Sequence, residues 1–239
     1  MTSQSFCIVC TKKSLIAPDV YELMFTKPEG FSYKAGQFVL FEVPLVDNPA
    51  DLQPRAYSIA SAPEEKDLLF VIKLKPGGRA SRWVSEVLTE GSVVGMGRPL
   101  GLFTLAPEDQ GHFVFVGTGS GVAPLRSHLV SCLEYRKSNA GMDLIFGVRN
   151  REDLFWIDHF EDLARRHSNF HFHPTLSAPP VDWTGMKGRV TSVMPGIIKD
   201  SATTKVFLCG SPAMIADTKK LCIETLQMPK ANVHGEGYI

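Results

Sequence analysis

Over the first hundred positions, apolar residues recur in short runs of alternating character, at 6–11, 20–26, 37–43, 56–60 and 68–74. A period of two predicts strands with one buried face. Glycine, proline, aspartate and asparagine punctuate the runs, as in Lys27-Pro28-Glu29-Gly30 and Asp47-Asn48-Pro49. Short, regularly spaced strands with little helix predict a small antiparallel β-barrel. One helix interrupts them: Ser81 is placed to cap a run over 82–88 that stops at Gly91.

Past Ala106-Pro107-Glu108-Asp109-Gln110-Gly111 the period changes. A buried strand is predicted at 113–116, followed by a helix carrying Leu125, Leu129 and Leu133 four apart. Another strand at 144–148 leads to a helix holding Phe160, Leu163 and Ala164, and a further strand follows at 170–175. After a strand at 205–209, Ser211 as N-cap and Pro212 in the first helical position open a helix. That helix carries Met214, Ile215, Thr218, Leu221, Cys222 and Thr225 on one face. Strands alternating with helices of this length predict βαβ units and a parallel sheet. The expected fold class is two-domain β + α/β: an antiparallel β-barrel over 1–106, then a parallel-sheet α/β domain over 107–239.

Composition narrows the classes of function. Hydrophobic residues make up 44% of 239, enough for a real core, and 25 basic residues balance 25 acidic ones. With no net charge, no global field draws the chain to nucleic acid or anionic membrane. The first residues, Met1-Thr2-Ser3-Gln4-Ser5-Phe6, lack the basic-then-apolar pattern of a signal peptide, and no apolar run is long enough for a membrane span. Five cysteines, an odd number, predict reduced thiols in the cytoplasm. Cys7 and Cys10 form a C-x-x-C, but three residues apart on a strand they point to opposite faces and converge poorly on a metal. The seven histidines match no ligand spacing; His171 and His173 share a strand face without a third ligand, so no metal is expected.

Candidate chemistry gathers at strand ends. Gly117-Thr118-Gly119-Ser120-Gly121-Val122-Ala123-Pro124 lies between a predicted strand and a helix, where glycines permit a tight turn and backbone N–H groups can meet a pyrophosphate. The next strand end carries Arg149, open to a ribose or phosphate, and a third carries Cys209-Gly210-Ser211-Pro212. In an open α/β sheet all three would line one crevice beyond the carboxyl ends of the strands. In the barrel half, Pro54-Arg55-Ala56-Tyr57-Ser58 offers a phosphate partner, a stacking ring and a hydroxyl. Downstream, the string from Lys73 through Gly77, Gly78, Ala80 and Ser81 brings a glycine turn to a helix start. Two phosphate-competent features in one barrel suit a flavin with a pyrophosphate, FAD rather than FMN.

The R-x-Y-S string, the G-x-x-S helix start, the strand–G-x-G-x-G-x-x-P turn and the late C-G-S-P, in that order, resemble the ferredoxin–NADP reductase superfamily over nearly the whole chain. Gly101-Leu102-Phe103 is similar to the family's G-x-F at the barrel exit. The resemblance implies a flavoprotein reductase that takes hydride from NADH or NADPH onto FAD and passes electrons to a separate acceptor. By the same resemblance Arg55 holds flavin phosphate, Tyr57 packs on the isoalloxazine, Ser58 bonds near its N5, and Gly78, Ala80 and Ser81 cradle pyrophosphate. Thr118 then sits near the nicotinamide, with Cys209 and Gly210 opposite. Plant-type members end in an aromatic residue that covers the flavin; here Tyr238 is second to last, and the resemblance extends shielding to it and an approach to the flavin to Glu236.

Where NADP-using relatives carry a serine–arginine pair, Ser177 is followed by Ala178, and the stretch from Asp182 to Val190 resembles NADH-using oxygenase reductases and flavohaemoglobins. Arg149, Arg151 and Arg189 keep a 2′-phosphate open. The expected partner is a small redox protein such as ferredoxin or flavodoxin, or a small-molecule acceptor, met by a monomer. Two other readings stand beside it: an NADH-dependent reductase of free flavin, quinone or an oxygenase partner, and a non-catalytic flavin electron-conduit subunit of a larger complex.

Overall fold

The computed structural model describes residues 5–106, 109 and 111–238. Its first half is a curled antiparallel sheet of β1 (Phe6–Ala17), β2 (Val20–Thr26), β3 (Phe38–Leu45), β4 (Asn48–Ser58), β5 (Asp67–Lys73) and β6 (Val93–Met96), ordered β4-β3-β6-β1-β2-β5. The two edge strands, β4 and β5, come into contact, so the sheet closes toward a barrel. Alternation places Ile8, Leu23, Val39 and Leu68 inside, around Phe25, Phe41 and Phe70, whose rings meet edge to face at 4.8–5.8 Å. The helix α1 (Arg79–Arg82) runs on as a π-helical turn over Trp83–Val87 and plugs this core with Trp83, Val84 and Leu88.

Two local expectations need correction. The fourth strand starts at Asn48, not at residue 56, so Asp47-Asn48-Pro49 belongs to a hairpin rather than a long loop. Pro49 and Pro54 are tolerated because β4 is an edge strand, where one row of N–H groups has no ladder partner to lose. Ser81 does not cap α1 either. The cap position is Gly78, and the Ser81 hydroxyl inside the first turn accepts from the Lys75 N–H (2.7 Å), bracing the glycine turn instead.

The second half is a wholly parallel sheet of β7 (His112–Thr118), β8 (Gly141–Val148), β9 (Phe170–Leu176), β10 (Met186–Lys187), β11 (Lys205–Gly210) and β12 (Val233–Gly237), ordered β10-β9-β8-β7-β11-β12. The chain steps outward from β7 to β10, then returns to lay β11 on the other side of β7. That reversal opens the crevice at which open α/β sheets bind ligands. The helices are α2 (Val122–Val130), α3 (Ile157–Arg166), α4 (Val190–Val193) and α5 (Pro212–Lys220). Among the described residues no helix is long and apolar enough to cross a membrane. The division expected at 106/107 falls beside residues 107, 108 and 110, which lie outside the described residues.

The two halves are packed into each other. All nine residues of α2 are buried, because one side of the helix covers the sheet and the other faces the barrel. One continuous apolar cluster joins Ala17, Val20, Ala60 and Val71 of the barrel to Phe115, Leu125 and Leu129. At this seam Gly36 has φ +88°, and a Cβ there would lie 1.9 Å from Phe103 O and 2.3 Å from His128 Nε2. A left-handed backbone and a collision with a carbonyl together predict that Gly36→Ala costs about 3 kcal/mol or more. In a chain of this size that lowers Tm by roughly 6–12 °C. Thermal unfolding checks it; a Tm within experimental error of the unsubstituted protein would refute the account of the seam.

Candidate functional site

The switch in strand order puts the ends of β7 and β11 side by side, and glycines let them come close. A Cβ on Gly210 would lie 2.2 Å from Thr118 Oγ1. One on Gly121, in the 3-10 turn Gly119–Gly121 that leads into α2, would lie 2.2 Å from Cys209 O. Ser211 accepts from the Met214 N–H (3.2 Å) and so caps α5 as the sequence predicts. Beyond these ends lies a cavity of about 630 Å³, within the range of small-molecule sites. Of the expected dinucleotide residues, Thr118, Gly119, Arg149, Gly210, Ser211 and Pro212 line it, and Lys73 reaches it from the barrel. Gly117, Gly121, Pro124 and Cys209 do not: they are buried behind the wall and fix its shape.

Arg149 and Arg189 line the cavity and make no ion pair among the described residues. Arg151 is engaged elsewhere, 2.8 Å from Asp182 and 5.8 Å from the Trp183 ring centroid.

From the barrel side β4 delivers Tyr57 and Ser58 in register with Val39 and Phe38. The Tyr57 ring meets Phe41 edge to face at 5.1 Å, and burial pushes its hydroxyl up to about 12, so it stays neutral. Ala80 packs against the same barrel core. The chain's last described stretch arrives from the other half. Because β12 lies parallel to β11, with Glu236 paired to Cys209, the tail is a sheet strand rather than a frayed end. Its side chains reach back to the barrel: Ser58 Oγ donates to Glu236 Oε1 (3.4 Å), and the Tyr238 hydroxyl lies 3.3 Å from both Ser58 Oγ and Ser120 O. Tyr238 also lines the dinucleotide cavity. Burial raises the Glu236 carboxyl above the usual carboxylate range, an effect the Ser58 hydrogen bond opposes in part. Burial likewise lifts the Cys209 thiol to about 12, which keeps it un-ionised beside Tyr238.

The residues present suit two phosphate-bearing cofactors. Arg55 spends a hydrogen bond only on its neighbour's carbonyl, Pro54 O (2.7 Å), and neither it nor Lys75 nor Arg79 makes an ion pair among the described residues. A Cβ on Gly78 would press Ser81 Oγ at 2.9 Å and Lys75 O at 3.0 Å, so the turn is a cradle only glycine leaves open. FAD fits the barrel face through Arg55, Tyr57, Ser58, Gly78, Ala80 and Ser81; a nicotinamide dinucleotide fits the cavity.

Sequence reading missed two clusters. Arg126 on α2 forks onto Glu65 (2.9 and 3.0 Å) across the seam between halves, a pairing 61 residues apart that no local pattern announces. At the opposite end of the sheet, Asp143 receives hydrogen bonds from His112 (2.6 Å) and His173 (2.5 Å), with His171 3.7 Å away. Burial would raise the Asp143 carboxyl, but the two histidines outweigh it and hold it well below the usual range. Period two put His171 and His173 on one face; only the parallel pairing of β7, β8 and β9 brings in their partners. Among the described residues no group of three or more His, Cys, Asp or Glu side chains is placed to hold a metal.

Comparison with known proteins agrees with this geometry. Residues 7–105 match the family described as oxidoreductase FAD-binding domain, and 115–220 that described as oxidoreductase NAD-binding domain. Ferredoxin--NADP reductase B of Sorangium cellulosum (strain So ce56) is 34% identical over 232 residues, covering 93% of each chain. The reductase component of the Pseudomonas putida naphthalene 1,2-dioxygenase system is 30% identical over 207 residues, 87% of this chain but only 60% of that one. Among solved structures, the Amycolatopsis cytochrome P450 reductase GcoB superposes with a TM-score of 0.86 at 29% identity, over 99% of this chain and 71% of its own. A Neisseria gonorrhoeae ferredoxin NADP+ reductase with bound FAD and NADP shares the fold at TM-score 0.84 and 21% identity, over 98% and 99% of the two chains. With an FAD-binding barrel joined to an NAD-binding α/β half, the chain belongs to the ferredoxin–NADP reductase superfamily.

Proposed function

We propose that this protein is a reductase that draws electrons from NADH or NADPH through FAD and delivers them to a small redox protein of the ferredoxin or flavodoxin type. The observation that carries this is the meeting of Ser58 of the barrel half with Glu236 and Tyr238 of the α/β half, Tyr238 itself lining the dinucleotide cavity. When bound, the flavin supplies the chemistry of accepting a hydride and releasing electrons singly or in pairs.

The chain's own residues bind, align and move protons. Arg55 takes flavin phosphate, Tyr57 backs the ring system, and Gly78, Ala80 and Ser81 take the pyrophosphate, with Lys73 at the border of the two sites. In the other half Gly119, Ser211 and Arg149 hold the dinucleotide; Thr118, Cys209 and Gly210 shape the wall around its reactive end, with Gly117, Gly121, Pro124 and Pro212 supporting them. Glu236 accepts the Ser58 Oγ hydrogen bond and takes up a proton that Ser58 passes on, the hydroxyl regaining one from the reacting side in the same step, and Tyr238 shields the pair from water. This assigns residues 1–106 to the flavin and 107–239 to the dinucleotide, in keeping with the family matches at 7–105 and 115–220.

The acceptor is argued from the relatives. The Sorangium protein, whose length the chain nearly matches, is named for ferredoxin. The second reading, reduction of an oxygenase partner, rests on the naphthalene dioxygenase component and on GcoB, of which the chain covers 60% and 71%. Cys7, Cys10, Cys132, Cys209 and Cys222 are all free thiols, which suits the cytoplasm and a monomer without disulfide partners. The test is release and identification of the chromophore, followed by anaerobic reduction with NADH and NADPH side by side. The expected result is FAD, bleached by at least one nucleotide; a protein that cannot be loaded with FAD, or is bleached by neither, refutes the proposal. Reduced holoprotein is then offered ferredoxin, flavodoxin and free FMN, and a preference for FMN favours the free-flavin reading.

A further inference from the structure

Three consecutive residues of α2 grip the backbone of the barrel. Arg126 Nη1 donates to Ala60 O (2.9 Å), while Nη1 and Nη2 together hold the two carboxylate oxygens of Glu65 (2.9 and 3.0 Å). Ser127 Oγ donates to Ser61 O (2.6 Å), and His128 Nε2 donates to Phe103 O (2.9 Å). Burial drives His128 down to about 4, so it serves as a neutral donor rather than a charge. Trp156 completes the contact: its ring centroid lies 5.6 Å from the Arg126 guanidinium, and its Nε1–H donates to Glu22 on β2 (2.6 Å).

The position of these contacts along the chain gives them their meaning. Ala60 lies two residues beyond Ser58, and Arg126 lies five beyond Gly121, on the helix that grows from the glycine turn. The shortest covalent route between those two ends runs through more than sixty residues, whereas the Arg126 fork spans the gap directly. Apolar packing alone would hold the halves together, but it fixes neither distance nor angle. A planar guanidinium bound at two points to one carboxylate and at a third to a carbonyl fixes both.

We propose that Arg126 and Glu65 form a positioning strut that sets the distance and angle between the Ser58 edge of the barrel and the glycine turn of the α/β half, and so aligns the dinucleotide with the flavin. The proposal rests on the reductase reading above. Reaction between two held partners is sensitive to such settings, since a displacement of about 1 Å can cost on the order of 100-fold in rate.

The test compares FAD-loaded wild type with R126K, each normalised to bound flavin. Lysine keeps a positive charge opposite Glu65 and gives up the fork. The expected result is a dissociation constant for oxidised dinucleotide unchanged within about 2-fold, a weakened long-wavelength absorbance on mixing oxidised flavin with reduced dinucleotide, and anaerobic flavin reduction slowed on the order of 10-fold. A strut that served stability alone would lower Tm and leave the absorbance and the rate per flavin at wild-type values, and that outcome overturns the proposal. E65Q, nearly the same shape without the charge, gives the second measurement and decides the matter if R126K does not fold: slowed reduction with intact dinucleotide binding supports the strut, and a wild-type rate overturns it. Wild type that neither NADH nor NADPH reduces overturns the reductase reading itself and the strut's role with it, a result visible before any variant is compared.

Discussion

Gly121→Ala is expected to slow reduction of the bound flavin by NADH or NADPH on the order of 100-fold, with FAD still in place. A Cβ at this position would stand 2.2 Å from Cys209 O, 2.5 Å from its carbonyl carbon and 2.8 Å from Gly210 N. All three are backbone atoms at the end of β11, so no side-chain rotation relieves the contact. The start of α2 must therefore lift off β11, carrying Gly119 and Ser120 with it, and both line the cavity. Overpacking of this kind costs roughly 1–3 kcal/mol, which a chain with two fused halves can absorb without unfolding. Arg55, Tyr57 and the Gly78 turn, the proposed flavin anchors, belong to the barrel half, and none of them is among the nearest atoms a Cβ at position 121 would meet. Absorbance of the purified protein reports FAD content, and anaerobic stopped-flow mixing reports reduction; wild-type rates in a fully loaded variant would show that the turn does not position the dinucleotide.

The glycine turn was the most legible part of the site because its requirement is local. Close approach of β11 demands glycine at a fixed offset from a strand end, and the strand and helix on either side carry clear periods. The ladder of β2, the N-cap at Ser211 and the burial of Cys10 with exposure of Cys7 follow from the same short-range rules. Elements whose character is set by their neighbours were not legible. The strand β4 contains two prolines, of which Pro49 reads as part of a turn, and its place at a sheet edge makes both harmless. Ser81 has the residue type of a cap but is used one turn later, where it braces Lys75. The two-residue β10 and the glycine-bearing β12 are too short or too sparse for a period and exist because adjacent parallel strands offer them ladders.

The same division holds for the site. Side chains named from motifs were found where strand and helix ends put them, but how they meet is a matter of topology. Ser58 and Tyr238 are 180 residues apart and touch only because β12 docks beside β11 while α2 pins the barrel over the sheet. Arg126 lies within the predicted helix that carries Leu125 and Leu129, where no local pattern marks it. It is 8% exposed, because a second domain covers that face. A buried arginine between apolar neighbours is the signal that such a cover exists, and a carboxylate elsewhere must answer it.

That convergence makes Glu236 the source of the second large effect: Glu236→Gln is expected to lower turnover with a one-electron acceptor on the order of 100-fold, the scale of a lost general base. Glutamine can still accept from Ser58 Oγ but cannot keep the proton. Burial raises the folded carboxyl above its unfolded value, so the stability it contributes is fully present below the unfolded pKa and is lost as pH rises through the folded one. Wild type therefore pays at neutral pH for keeping this carboxylate buried, and the variant does not. Its Tm should exceed that of wild type at neutral pH and converge with it as the solution is acidified. The opposed signs separate the acid–base role from simple damage, since a substitution that merely disrupted the tail would lose stability along with turnover. Ser58→Ala removes the donor at 3.4 Å and should show a comparable loss of turnover. If the two act as one path, the double variant loses no more than the worse single one. Losses that multiply in the double variant, or a Glu236→Gln Tm at or below that of wild type at neutral pH, would sink the relay and leave Glu236 as a packing residue of β12.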